Sequence, residues 1–342
     1  MIRAYIPSLH ERHWPPFEYE NGLPVPYREK PDRISEIESA LVSAGLIQPV
    51  REFAPISLHA LAQIHDQELL DYLALSQAEL GDETVYQYAE IILPDSARRK
   101  PIRDSIGRMG KFVFDSYSPI GAHTVEAALQ AAASVKAAAD GLLQSTDKIA
   151  YALCRPPGHH AGRNRFGSYC YLNNAAFAAS LLKTAGRCAI LDIDYHHGNG
   201  TQEIFWNDSQ VLYASLHIDP AYDYPFFSGY ANETGGPDAP GQNLNIPLPP
   251  GCTSAMYLQA LEALLTAIEK FDAQTVVISL GFDTYQEDPF SSFSLEETTF
   301  GAIGARLSLI NKTTLVVQEG GYCIPALGSL AVNFFSGLLQ RG

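Results

Sequence analysis

Short apolar runs punctuate the second half of the chain at 149–153, 188–194, 211–217, 275–280 and 314–318, separated by Ala- and Leu-rich stretches at 174–185, 254–271 and 296–311; a further such stretch, 125–143, precedes the first. Runs this continuously apolar predict strands covered on both faces. The stretches between them place apolar residues at helical spacing. Together they predict an α/β fold with a single open, mostly parallel β-sheet, flanked by helices on both faces, and a ligand site at the carboxyl ends of the strands. No linker or repeat divides the sequence, so residues 1–342 read as one domain. Two segments are less regular. Residues 9–31 are rich in Pro, Tyr and Glu, and 81–124, with its basic patch Arg98-Arg99-Lys100, reads as an irregular insertion suited to a functional loop or an oligomer contact.

Composition narrows the partners. With 342 residues and 46% hydrophobic content the chain can bury a large core. A formal charge of -15 argues against nucleic acid and suits a cationic ligand, which the summed field attracts. The five cysteines are widely spaced with no C-x-x-C pair, so neither a disulfide framework nor a thiolate metal site is expected, and reduced cytoplasmic thiols fit. Met1 to Pro7 lack the apolar stretch of a signal peptide, and no apolar run approaches the ~20 residues that span a bilayer, so no membrane association is expected.

Unusual polar residues gather where the predicted strands end. The first cluster is Cys154-Arg155-Pro156-Pro157-Gly158-His159-His160, and the second is Asp192-Ile193-Asp194-Tyr195-His196-His197-Gly198-Asn199. The third is Gly281-Phe282-Asp283 and the fourth Glu319-Gly320-Gly321-Tyr322. Asp194 and His196 are two apart, so on an extended segment both side chains leave one face. With a carboxylate from another strand end, for which Asp283 is the candidate, they form three N/O ligands and leave an open position, as a catalytic Zn²⁺ site requires. Fe²⁺ or Co²⁺ would accept the same donors. Any one of these residues alone has a commoner explanation as a helix cap, a turn former or a structural histidine. Four clusters at four strand ends do not. Amide hydrolysis also needs a proton carrier, for which His159 and His160 are candidates, tuned by Asp192 and Asn199. Tyr322 could donate a hydrogen bond to the developing oxyanion.

On the segments 155–162, 166–174, 190–202, 213–220, 279–289 and 319–322 the chain resembles the arginase/deacetylase superfamily, and within it the histone-deacetylase-like amidohydrolases. It is most similar to the bacterial acetylpolyamine amidohydrolases. The resemblance implies one Zn²⁺ per subunit on Asp194, His196 and Asp283. It implies His160 as general base and then general acid, and His159 as an electrostatic neighbour oriented by Asp192. Tyr322 would bind the substrate carbonyl, with Tyr169 and Tyr224 along the methylene chain. A structural K⁺ would sit at Asp192, Asp194, His196, Ser215 and Leu216. Asn199 stands where some members carry Asp. Gly281 replaces the first carboxylate of the arginases' D-x-D pair, so a second metal is not expected. Glu18 matches an acidic position at the entrance for cationic substrates, while two further acidic positions fall on Ile106 and near Tyr117, with Asp115 close by. The expected enzyme is a metal-dependent deacetylase acting on acetylated polyamines, or alternatively on acetyl-lysine peptides or other small acylated amines. A homodimer whose 81–124 loops narrow the tunnel is expected.

Overall fold

The computed structural model describes residues 1–81 and 85–340. Its main sheet has eight parallel strands in the spatial order Asn243–Leu248, Val211–Ile218, Cys188–Asp192, Thr275–Leu280, Thr313–Gln318, Ile149–Ala152, Ile2–Tyr5 and Ile47–Val50. The central strands Cys188–Asp192, Val211–Ile218 and Thr275–Leu280 are buried at every position. This burial on both faces is why they read as unbroken apolar runs rather than alternating ones.

Successive side chains on a strand leave opposite faces, and the core divides accordingly. Leu191, Val276 and Ile278 join one cluster, together with residues of the helices Asp32–Ser43, Ser254–Phe271, Glu297–Ser308 and Ile324–Leu338. Ile190 and Val277 join the other, beneath the helices Gln67–Glu79, Thr124–Gln144 and Asn174–Leu182. Each fully buried Leu, Ile or Phe contributes ~1.5–3 kcal/mol to holding the layers together. The helix Thr124–Gln144 presents mainly alanines to the sheet, among them Ala128, Ala131, Ala132 and Ala138. Small side chains there let its backbone approach the strands closely.

The predicted elements are present, with different ends. The run 188–194 is a strand only to Asp192. The stretch 174–185 is an α-helix to Leu182 followed by a 3-10 turn, and 296–311 shortens to Glu297–Ser308. Three strands of the main sheet, Ile2–Tyr5, Ile47–Val50 and Asn243–Leu248, carry weaker apolar patterns because they lie towards the two edges. The segment 9–31 contains an antiparallel hairpin, Phe17–Glu20 with Leu23–Pro26. The insertion 81–124 holds the short helices Asp95–Arg98 and Ser105–Phe112 and a two-residue strand pairing, Tyr86–Gln87 with Ile120–Gly121; its residues 82–84 lie outside the described ones.

One buried ion cluster fastens the N-terminal segment over the strand ends. Glu29, Arg33 and Arg155 all have fully buried side chains, and Glu29 Oε1 takes hydrogens from Arg33 at 2.6 Å and Arg155 at 2.9 Å. Arg33 also donates to the carbonyls of Glu319 and Gly321, each at 2.6 Å. Arg155 donates to the carbonyls of His13 and Glu29 at 2.7 and 2.8 Å. Buried charges persist when paired and hydrogen-bonded in this way, and here only Glu29 Oε2 of the carboxylate takes no hydrogen. Among the described residues, no helix is long and apolar enough to cross a membrane.

Candidate active site

The four polar clusters follow four neighbouring strands of the sheet: Cys188–Asp192, Thr275–Leu280, Thr313–Gln318 and Ile149–Ala152. Parallel strands all point the same way, so side chains far apart in sequence meet at one edge.

Asp194, His196 and Asp283 converge there. One donor atom from each lies within 4.8 Å of the others. His196 Nδ1 is 3.2 Å from Asp283 Oδ2 and 3.4 Å from Asp194 Oδ1. Asp194 and His196 lie in the loop beyond the strand rather than on an extended run. They are held by a local turn in which the His196 backbone N–H donates to Asp194 Oδ1 at 2.9 Å. Gly320 N donates to Asp194 Oδ2 at 2.8 Å and Tyr195 N to Asp283 Oδ1 at 3.0 Å. A side chain at Gly281 or Gly320 would run into these carboxylates, so glycine is required by close approach.

Two carboxylates, 1% and 0% exposed, surround a single imidazole. Burial, reinforced by Asp194, pushes the Asp283 carboxyl up to about 7, and the buried His196 is raised to about 10 because the two carboxylates outweigh the burial that would lower it. Asp194 is held below the usual carboxylate range: burial opposes this, but the His159 and His196 charges prevail. Two buried carboxylates and one imidazole brought this close suit a divalent cation, and two oxygens with one nitrogen are donors that Zn²⁺ accepts. The residues fit a metal.

The paired histidines differ in their partners. His159 Nδ1 lies 3.2 Å from Asp192 Oδ2, which also accepts the Tyr213 hydroxyl at 3.0 Å. Burial would lower His159, but Asp194 and Asp192 raise it to about 10. His160 Nδ1 lies 2.7 Å from Asn199 Oδ1. An amide oxygen only accepts, so Nδ1 carries the hydrogen and Nε2 of the neutral ring keeps a lone pair. Burial, with the charges of His159 and His196, holds His160 well below the usual histidine value. One imidazole is thus poised as cation and its neighbour as base, with ring centroids 4.1 Å apart.

Both histidines rest on a tightly bonded base that sequence reasoning did not single out. Glu319 Oε2 accepts the backbone N–H groups of Gly158 and His159 at 2.7 and 3.1 Å. The Asn173 side chain caps the helix Asn174–Leu182 and donates to Ala161 O at 2.9 Å, and His65 bridges Gly162 O and Asn173 N. Asp288 Oδ2 accepts Tyr322 N at 2.6 Å and Cys323 N at 2.9 Å. Arg33 places its guanidinium 4.9 Å from the Tyr322 ring centroid. Burial raises the Tyr322 phenol well above its ordinary value, against the opposing pull of Arg33, so the hydroxyl remains a donor at neutral pH.

Above this floor lies a cavity of about 250 Å³ lined by His160, Tyr169, His196, Tyr224, Phe290 and Tyr322, with Tyr117, Asp223 and Phe226 also on its lining. Tyr169 and Tyr224 are on the wall. Glu18 is not. It is 1% exposed and stands behind the wall, where Oε2 accepts the Tyr169 hydroxyl at 2.9 Å and Arg28 N at 3.2 Å. Asp115 serves the opposite wall. It accepts the Tyr224 hydroxyl at 2.9 Å and the Ser168 N–H and hydroxyl at 2.9 and 3.1 Å. These bonds anchor Ser168 and Tyr169, whose positive φ values of 47° and 66° are strained for residues with side chains. Ile106 is 37% exposed, on the helix Ser105–Phe112. Asp192 and Ser215 are register partners on adjacent strands, with Leu216 following.

The histone deacetylase domain family matches residues 27–338. Acetylpolyamine amidohydrolase 2 of Pseudomonas aeruginosa is 37% identical over 332 residues, covering 96% of both chains. The acetylpolyamine amidohydrolase of Mycoplana ramosa is 38% identical over 329 residues, covering 94% of this chain and 95% of the relative. The crystal structure of acetylpolyamine aminohydrolase from Burkholderia pseudomallei superposes with a TM-score of 0.94 at 34% identity, covering 100% of each chain.

Proposed function

Since the chain belongs to the histone deacetylase family and is a deacetylase, we propose that it removes acetyl groups from acetylated polyamines with one Zn²⁺ held by Asp194, His196 and Asp283. The observation that carries this reading is the triad of two buried carboxylates and a half-buried imidazole at the foot of a tyrosine-walled cavity, beside a neutral imidazole with a free Nε2.

The metal would supply Lewis acidity to the amide carbonyl and to water. The protein's own groups account for the proton traffic. His160 Nε2 takes the proton from the attacking water and returns it to the amine nitrogen as the C–N bond breaks. Tyr322 donates its phenolic hydrogen to the carbonyl oxygen as that oxygen gains charge. Burial, with His159 bonded to Asp192 beside it, holds His160 well below the usual histidine value and keeps its Nε2 open to accept a proton. Tyr169 and Tyr224 confine the methylene chain, with Glu18 contributing through its bond to Tyr169. A structural K⁺ at Asp192, Asp194, His196, Ser215 and Leu216 would brace the strand ends that carry two of the metal ligands.

Residues 1–342 act on this reading as one catalytic domain, in the cytoplasm, as a homodimer meeting through the 81–124 region; the five free thiols accord with a reducing compartment. The decisive assay compares acetylputrescine, acetylcadaverine and acetylspermidine with an acetyl-lysine peptide on metal-replete protein. Hydrolysis of the polyamines is expected. Efficient peptide turnover with no polyamine hydrolysis would replace this reading with a lysine deacetylase.

A further inference from the structure

A monoacetylated diamine seated with its amide on the floor carries an ammonium at the far end of its methylene chain. That ammonium loses water as it enters the mouth, and the loss is offset only by a group of opposite charge. Glu18 and Asp115, the two carboxylates behind the tyrosine walls, are already committed. Glu18 is 3.5 Å from the Arg28 guanidinium and bonded to Tyr169, and Asp115 accepts from Tyr117 N, Ser168 and Tyr224.

Asp223 is different on two counts, its place on the cavity lining and its exposure, and like Asp115 it is bonded only by neutral donors. It is the one carboxylate among the described residues that lines the cavity. It sits at the rim, half-buried between exposed Tyr222 and half-buried Tyr224. Its bonds come from neutral donors, the Tyr195 hydroxyl to Oδ2 at 2.9 Å and Tyr224 N to Oδ1 at 2.8 Å, and among the described residues it has no ion pair with a Lys, Arg or His. The carboxylate is therefore oriented and yet electrically uncompensated. Phe226, on the same loop and lining the same cavity, offers an exposed ring beside it, a surface that also attracts alkylammonium groups.

We infer that Asp223 is the residue that determines specificity for a charged amine, its carboxylate receiving the distal ammonium of an acylated linear amine while the amide lies on the floor. The inference rests on the reading of the site as an amine deacetylase and assigns the ammonium's partner within it.

The test uses two substrates of equal length, acetylputrescine and an uncharged N-alkylacetamide, on wild-type protein, Asp223→Asn and Glu18→Gln. Asn keeps an acceptor for Tyr195 and removes only the charge. Asp223→Asn is expected to reduce the ratio of kcat/KM for the charged over the neutral substrate by about tenfold. The change should lie in KM, accompanied by a weaker dependence of KM on salt. Glu18→Gln should depress both substrates together, since it loosens a wall. An unchanged ratio in Asp223→Asn overturns the inference, as does a collapse of the ratio in Glu18→Gln alone. Wild-type protein that hydrolyses both substrates without preferring the cation defeats the polyamine reading itself, an outcome visible before any variant is made.

Discussion

The floor and the mouth of the cavity are built on opposite plans. The floor takes its side chains from the ends of four adjacent buried strands, and their hydrogen-bond partners are backbone groups or fully buried residues such as Glu319 and Asn173. The mouth takes its side chains from the insertion, which supplies Tyr117, and from the loop carrying Tyr222 to Phe226, with Tyr222, Phe226 and Phe227 more than half exposed. Chemistry that needs atoms fixed to a fraction of an ångström sits in the loops that directly follow the buried strands, which anchor them. Selection among substrates sits on segments that can change without disturbing the core.

The sharpest way to break that contrast is to attack the floor. Asp283→Asn removes one of two carboxylate donors, and kcat should fall by about 10³ or more as several kcal/mol of transition-state stabilisation are lost. Metal analysis of the purified variant should find less than one ion per chain, and full occupancy with full activity would remove Asp283 from the triad. Tyr322→Phe should keep the metal and lose about 10²–10³ in kcat, the usual cost of deleting one oxyanion donor. Steady-state kinetics with parallel metal analysis separates these two floor variants.

Asn199→Asp tests the floor more gently. His160 now lies well below the usual histidine value, so it remains a competent base as the pH falls through 6. A carboxylate at Nδ1 favours the protonated ring and raises its pKa, so the acid limb of the kcat/KM profile should move to higher pH by about one unit. No movement would mean that this limb belongs to another group.

The mouth should respond less. Asp115→Asn weakens the bonds to Tyr224 and Ser168, and denaturant titration should show about 1–3 kcal/mol less stability. KM should rise a few-fold with kcat little changed, in keeping with a wall that positions substrate. A loss in kcat as large as that of Tyr322→Phe would erase the distinction between the two regions.

The same contrast decides what could be read from sequence. Asp194, His196 and Asp283 stood out because strand ends in a parallel sheet collect ligands, and so a polar residue after an apolar run carries information. His159 and His160 stood out as a pair for the same reason, and Asp192 and Asn199 lie within hydrogen-bond reach of them. The mouth was opaque. Glu18 matched an entrance position by resemblance, but its carboxylate turns inward to Tyr169 and Arg28, a choice made by packing that no spacing encodes. Asp223 gave no signal, since an acidic residue among aromatic ones in a loop is ordinary. The edge strand Asn243–Leu248 was missed because Asn243, Asn245 and Pro247 interrupt its apolar pattern.

The ion cluster of Glu29, Arg33 and Arg155 also constrains the order in which the enzyme is made. Arg33 is made well before its acceptors on Glu319 and Gly321, which lie 286 and 288 residues further along. A nascent chain lacking its last strand offers this guanidinium Glu29 but not the two carbonyls, and the Tyr322 loop does not yet exist. Contacts of such long range form late. On the proposed mechanism, hydrolytic competence therefore waits on the segment 319–322, and a product terminated before it would lack the Tyr322 hydroxyl.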